Sequence, residues 1–259
     1  MTFLRRFFWL FDKSRDKKQQ SCKAIDQERQ KNVEIQSYIL YEDRDLIVCR
    51  KPAGVPVQTK QIQTKDMVSL LKNYRYQQEG GKEEPYLGVI HRLDQPVEGI
   101  VVFAKTPQAA KELNRQLQAG GFGKYYQAVL CKVPEKAQGQ LTDYLVKDGR
   151  TNLSKICRKS DAGAKEARLS YKIQGEAEGK ALANIHLDTG RHHQIRVQMS
   201  GMGCPILGDV KYGGEEKARG QIALCASSLT FVHPKTKKQM QFEIPPQAAG
   251  FDLFFASKI

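Results

Sequence analysis

Two short runs of this 259-residue chain concentrate the side chains that could do chemistry. The first, His91-Arg92-Leu93-Asp94, sets an imidazole, a guanidinium and a carboxylate side by side, between apolar runs at 86–90 and 100–104 that read as buried strands. A loop held between strands displays ionisable groups rigidly. An aspartate there can equally be a turn-former or a cap, and position alone leaves both readings open. The second run, Gly190-Arg191-His192-His193-Gln194-Ile195-Arg196, packs two arginines, two histidines and a glutamine into the first turns of an expected helix. Free backbone N–H groups and the helix dipole favour a phosphate at such an end. Adjacent histidines do not suit a metal, because helical ligand pairs need i,i+4 spacing and no further His or Cys stands at a convincing distance; no metal site is expected. His186 and His233 stand singly in strand-like stretches and read as structural.

The elements that must position these residues follow from turn chemistry and periodicity. Residues 37–41 and 46–49 are short β-prone runs separated by the polar turn Glu42-Asp43-Arg44-Asp45, and Lys51-Pro52-Ala53-Gly54-Val55-Pro56 stops the second in a loop. Asp66 is an N-cap for a short helix carrying Val68, Leu70, Leu71 and Tyr74, ended by Gly80-Gly81. Thr106-Pro107 opens another, with Thr as N-cap and Pro at the first helical position, running to Gly120-Gly121. Further strands are expected at 125–131, 140–146, 167–174 and 181–187, a helix over 192–202, and a hairpin of 222–232 with 240–244 around Pro234-Lys235-Thr236-Lys237. Hairpin-linked strands with a few helices between them argue for an α+β fold with a large mixed, mostly antiparallel sheet flanked by helices and loops. Residues 1–34, charged and Gln-rich after the aromatic patch Phe7 to Phe11, read as a basic leader, a tail or a lone helix; residues 35–259 are expected to form one catalytic domain.

Composition narrows the partners. Lys and Arg number 42 against 28 Asp and Glu, a formal net charge of +14. Such an excess suits a polyanion, although a basic balance can also serve only to keep a protein in solution. The six cysteines (Cys22, Cys49, Cys131, Cys157, Cys204 and Cys225) form no C-x-x-C pair and suggest neither a disulfide framework nor zinc. No apolar run approaches the ~18 to 20 residues of a membrane span, and no signal peptide is evident. A cytoplasmic monomer is expected.

The segment His91-Arg92-Leu93-Asp94, followed by Gly99-Ile100-Val101-Val102-Phe103-Ala104-Lys105, resembles the signature of the RluA-type RNA pseudouridine synthases. Other blocks are similar in order: Arg50 to Val57 to the family's Lys-Pro-x-Gly block, Lys124-Tyr125-Tyr126-Gln127-Ala128 to its Lys-x-Tyr-x-Ala block, Thr189 to Val197 to its third motif, and Gly203 to Asp209 with Tyr212-Gly213 to the block after it. The resemblance covers about residues 38–246. It implies a pseudouridine-synthase-like catalytic domain without a cofactor, acting on rRNA or tRNA. It also implies Asp94 as the essential carboxylate, Tyr126 near the target base, Arg196 as the ion-pair partner of Asp94, and Arg92 as the arginine inserted where the flipped base had been. His91, Arg191, His193 and Gln194 are expected to contact substrate. In place of the family's usual Asp-x-x-Thr-Ser-Gly the chain has Asp94-Gln95-Pro96-Val97-Glu98-Gly99, a departure expected to alter contacts near the carboxylate. No N-terminal S4-type RNA-binding domain is expected.

Moving a uracil from its N-glycosidic bond to a carbon link needs no net redox change, so one placed carboxylate can suffice, and a neighbouring guanidinium favours its ionised form. A stacked uridine must be flipped out or taken from a loop, at about a few kcal/mol. Two rival readings remain: a non-catalytic RNA-binding or folding protein on the same scaffold, and an Asp-dependent N-glycoside hydrolase, which would want a second carboxylate at a fixed separation.

Overall fold

A computed structural model describes residues 35–61, 64–214 and 221–255; the proposed leader lies outside them. Eleven strands form one sheet: β1 (Ile39–Glu42), β2 (Leu46–Lys51), β3 (Gly88–Val89), β4 (Glu98–Ala104), β5 (Gly123–Leu130), β6 (Gln138–Asp148), β7 (Leu153–Cys157), β8 (Lys165–Ala177), β9 (Lys180–Leu187), β10 (Leu224–Val232) and β11 (Gln239–Glu243). The order is β1-β2-β4-β10-β5-β9-β8-β6-β7, with β3 added to β4 and β11 to β10. Only β4 and β10 run parallel, at Cys225↔Glu98 and Ala226↔Gly99. The expected mixed, mostly antiparallel α+β architecture is therefore present.

Every residue of β4 is buried, because both faces of the sheet are covered there. On one face Val101 and Phe103 join Met67 and Leu71 of α1 (Met67–Gln78) and, further along, Tyr126, Ile195 and Met199. On the other, Ile100, Val102 and Ala104 join Ala110 and Leu113 of α2 (Pro107–Gln118) with Phe122 and Phe231. Truncating Leu113, which has no exposed surface, would cost about 2–5 kcal/mol. The helix starts are the expected ones: Asp66 accepts the Ser69 N–H at 2.7 Å in a capping box, and Thr106 accepts that of Ala109 at 3.1 Å ahead of Pro107. Asp43 makes the β1–β2 turn by accepting the N–H groups of Asp45 and Leu46.

Three elements differ from expectation. The run at 86–90 contributes only the two-residue β3, because β10 occupies the same edge of β4 at Glu98 and Gly99 and leaves only Phe103 and Ala104 for Gly88 and Val89 to pair with. β7 was not foreseen; it forms a hairpin with β6, pairing Lys147 with Ser154. The helix expected from residue 192 begins two residues later as α3 (Gln194–Gly201), because its N-cap His193 sits in the left-handed region at φ 54°. Gly99 is required where β4 meets β10: its φ is +140°, and a Cβ would lie 2.4 Å from that of Ala226.

Candidate active site

The loop between β3 and β4, the start of β5, the end of β9 and the N-terminal half of α3 converge on a cleft of about 800 Å³. Asp94, Tyr126, Arg196, Arg92, His91, Arg191 and His193 all line it. Three sequence blocks separated by up to about a hundred residues thus meet in one place. Arg196 Nη1 donates to Asp94 Oδ2 at 3.2 Å, across 102 residues of chain.

Arg196 itself is 3% exposed and is held from behind: its Nε and Nη2 reach the two oxygens of Asp209 at 2.7 Å each, a bidentate pair. Burial opposes the guanidinium's charge, but Asp209 and then Asp94 outweigh it and raise its pKa further. The Tyr212 ring packs under the guanidinium, 5.0 Å from centroid to Cζ. Asp209, 1% exposed, ends the block that follows the third motif, and a carboxylate thirteen residues from its arginine leaves no local spacing signal. Asp94 stays 27% exposed, and its Oδ1 has no hydrogen-bond partner among the described residues.

His193 stands on the other side of Asp94, with Nε2 3.6 Å from Oδ2. Its tautomer follows from its neighbours. The Ser154 N–H donates to the Tyr212 hydroxyl at 2.8 Å, so that hydroxyl's own proton goes to His193 Nδ1 at 2.7 Å, leaving the imidazole proton on Nε2 facing Asp94. Burial, and then the Arg196 charge, push the His193 pKa down to about 3, so the ring is neutral at physiological pH. His192 stacks on it at 3.7 Å between centroids and is held by Ser154 Oγ at 2.8 Å.

Tyr126 is buried at its ring while it faces the cleft. Burial, and then the Asp94 charge, raise its phenol pKa, so it is a neutral group beside the carboxylate. Arg92 is exposed and forms no salt bridge among the described residues. Arg191 is exposed too, with Nε donating to the Glu166 carbonyl at 2.8 Å. Lys124 and Lys147 add positive charge to the rim.

Two of the residues expected to contact substrate hold the local structure. Gln194 is 3% exposed and does not reach the cleft: its amide accepts from Thr189 Oγ1 and Arg191 N–H and donates to the Arg168 carbonyl, fixing the turn that presents Arg191. His91 borders the cleft, but its Nε2 accepts the Val102 N–H at 3.3 Å, filling the gap in the β4 ladder between β10 and β3. Burial, and then Lys124, lower its pKa to about 4, which keeps that nitrogen an acceptor.

The Val97-Glu98 departure divides in the same way. Val97 lines the cleft, whereas Glu98 points away from it: Oε2 pairs with Arg50 at 3.1 Å, and Oε1 accepts the N–H groups of Gln247 at 2.6 Å and Ala248 at 2.7 Å. Behind Asp94, the fully buried Lys51 donates to the carbonyls of Pro52 at 2.9 Å, Val55 at 2.7 Å and Gln95 at 3.1 Å. Burial draws its ammonium down to about 7 against the pull of Asp94 and Glu98. Away from the cleft, Asp43, Asp45 and His233 lie together. Two of the three are already engaged with each other and the backbone: His233 Nδ1 accepts from Lys235 and Thr236 while its Nε2 meets Asp43 Oδ2 at 2.7 Å, which makes the pair a clamp between two turns.

A family model described as RNA pseudouridylate synthase matches residues 45–201, which carry Asp94, Tyr126 and Arg196. A protein of Bacillus subtilis named as an uncharacterized RNA pseudouridine synthase is 31% identical over 209 residues, covering 80% of this chain and 68% of its own length. The ribosomal large subunit pseudouridine synthase D of Vibrio parahaemolyticus is 31% identical over 242 residues, 85% of this chain and 70% of its own. Among solved structures, human RNA pseudouridylate synthase domain containing 4 superposes with a TM-score of 0.68 at 23% identity, covering 84% of this chain and 93% of that one. That likeness speaks for the fold.

Proposed function

The chain belongs to the RNA pseudouridylate synthase family, as an isomerase of the RluA type that converts uridine in RNA to pseudouridine, and from that premise we propose Asp94 as its working carboxylate. The observation that carries this is the setting of Asp94: one oxygen engaged by Arg196 and faced by His193 Nε2–H, the other left open to the cleft. In the reaction the C1′–N1 bond breaks, the uracil turns, and a C1′–C5 bond forms; the proton on C5 leaves and N1 gains one. An ionised carboxylate serves such a sequence as nucleophile or as base, provided that its charge is held in place. Arg196 supplies that charge, and Asp209 keeps the guanidinium from turning toward solvent. Tyr126, neutral and against the cleft wall, is suited to pack on the flipped base and to pass a proton.

Arg92, exposed at the mouth and without a salt bridge among the described residues, is placed to enter the gap that the uridine leaves in its stack. Arg191 and His193 then contact the nucleotide, and the basic rim holds phosphates without choosing sequence. The RNA is rRNA or tRNA, and the names of the ribosomal large subunit synthases among the relatives favour rRNA. Residues 35–259 act as the catalytic domain, in the cytoplasm and as a monomer; no helix among the described residues is long and apolar enough to cross a membrane. Of the carboxylates a hydrolase would want as its second, Glu98 faces away from the cleft, whereas Asp188 lines it and stands 3.3 Å from His186 Nδ1, so the product decides between the two readings.

The test maps pseudouridines in RNA from cells with the gene, without it, and with Asp94→Asn. The variant is expected to bind RNA but to leave the same uridines unmodified as the deletion. Modification at wild-type level by Asp94→Asn would overturn the assignment, and release of free uracil would favour a hydrolase.

A further inference from the structure

The cations of this chain are not treated alike. Away from the cleft some are neutralised, Lys72 by Glu84, Lys105 by Glu42, Arg115 and Lys237 by Glu112, while others, such as Lys111, Lys132 and Lys172, stand singly, exposed and outside any salt bridge among the described residues. The β6–β7 hairpin and the turn after it carry Lys147, Arg150, Lys155, Arg158 and Lys159, all exposed and, among the described residues, without a salt bridge. The acids nearby are spent on backbone, Asp148 accepting the Arg150 N–H at 2.8 Å and Asp161 that of Arg158 at 3.0 Å. The row begins at the cleft, since Lys147 lines it and is paired across the hairpin with Ser154. Ser154 in turn is 6% exposed and holds both halves of the histidine stack, His192 through its hydroxyl and His193 through Tyr212.

We propose that the β6–β7 hairpin is an arm that grips the RNA backbone beside the target uridine, and that Ser154 and His192 are positioning residues that tie this arm to the catalytic carboxylate. The inference rests on the functional reading above. Unpaired cations on a two-stranded ribbon bind phosphates by displacing counterions. A phosphate-bearing strand drawn along Lys147 toward the tip would meet the ribbon on the side from which Ser154 reaches the stack. Movement of the ribbon then carries His192, and with it the Nε2–H of His193 that faces Asp94. A displacement of about 1 Å at a reacting centre is enough to cost up to about a hundredfold in rate.

Two measurements separate the arm from the strut. Binding of a fluorescein-labelled single-stranded RNA, followed against salt, is compared for wild type and Lys147→Gln/Arg150→Gln, since Lys147 shares the face of Ser154. The double variant is expected to lower the slope of log K against log salt by about 1.4, near 0.7 per lost cation, with weaker affinity; an unchanged slope would remove the hairpin from the RNA. Single-turnover pseudouridine formation is then measured on saturating RNA extracted from cells lacking the gene. Ser154→Ala is expected to bind RNA like wild type and to react about tenfold more slowly. His192→Phe, which keeps the stacking and loses the hydroxyl partner, should match it. Wild-type rates in both variants would overturn the strut. If the wild-type protein itself forms no pseudouridine, the functional reading fails, while the salt slopes still decide the arm.

Discussion

Asp94 and Glu98 lie four residues apart, each beside an arginine, and they have opposite fates. Glu98 has both oxygens engaged, by Arg50 and by two backbone N–H groups, and its side chain is 5% exposed. Asp94 keeps an oxygen without a partner among the described residues, and its side chain is 27% exposed, because Arg196 gives it only one of its nitrogens and gives two to Asp209. The pairing of a carboxylate with a buried arginine is therefore no sign of function by itself. What sets Asp94 apart, and fits it for the role proposed for it, is its partner's divided allegiance, which fixes the charge while leaving one oxygen open to the cleft.

The contrast breaks most sharply by exchange of effects. Asp94→Asn should lower single-turnover pseudouridine formation by at least about 10³-fold while leaving the thermal midpoint within a few degrees of wild type, since the lost charge is partly solvated. Glu98→Gln should do the reverse: RNA modification near wild type, but a stability loss of about 3 kcal/mol in urea titration, because Arg50 is left without its counter-charge. If Glu98→Gln instead lost activity at full stability, the division between the two carboxylates would be wrong. Arg196→Lys sharpens the same point, for an ammonium cannot serve Asp209 at two atoms and Asp94 at a third; a rate loss of about 10²-fold with little change in RNA affinity is expected.

The smallest effect lies at the clamp. The carboxyl of Asp43 is held below its ordinary value: burial works to raise it, but the N–H groups of Leu46 and Asp45, with His233 and Tyr41, outweigh burial. A carboxyl lowered in the folded state stabilises above its unfolded pKa of about 3.9 and loses that contribution as pH falls through the folded value. Asp43→Asn should thus cost about 1–2 kcal/mol at pH 7, and the difference from wild type should close as pH falls below the ordinary carboxylate range in acid titrations followed by circular dichroism.

The elements that local chemistry specifies were legible: the caps at Asp66 and Thr106, the proline at 107, and the apolar run of β4. β7 was not, because its five residues Leu153-Ser-Lys-Ile-Cys bury only Ser154 and so carry no alternating apolar signal. At the site, the structure brings Asp94, Tyr126 and Arg196 to one cleft, as the block resemblance implied. Asp209, Ser154 and Lys51 carry no sequence signal because each acts through a partner that only folding brings near, and the hydrogen bonds of Gln194 and His91 to the backbone are equally invisible inside a motif.

The hold of Glu98 on Gln247 and Ala248, across 149 and 150 residues, has a consequence for synthesis. On the ribosome, β4 is translated long before the segment that fastens its first residue, and the strand that pairs with it in parallel, β10, also comes late. Contacts so distant in sequence close slowly and late. A nascent chain therefore leaves the start of β4, next to the His91-to-Asp94 motif, unfastened until residues 247–248 have emerged, so that the site is completed with that later segment rather than with the motif itself.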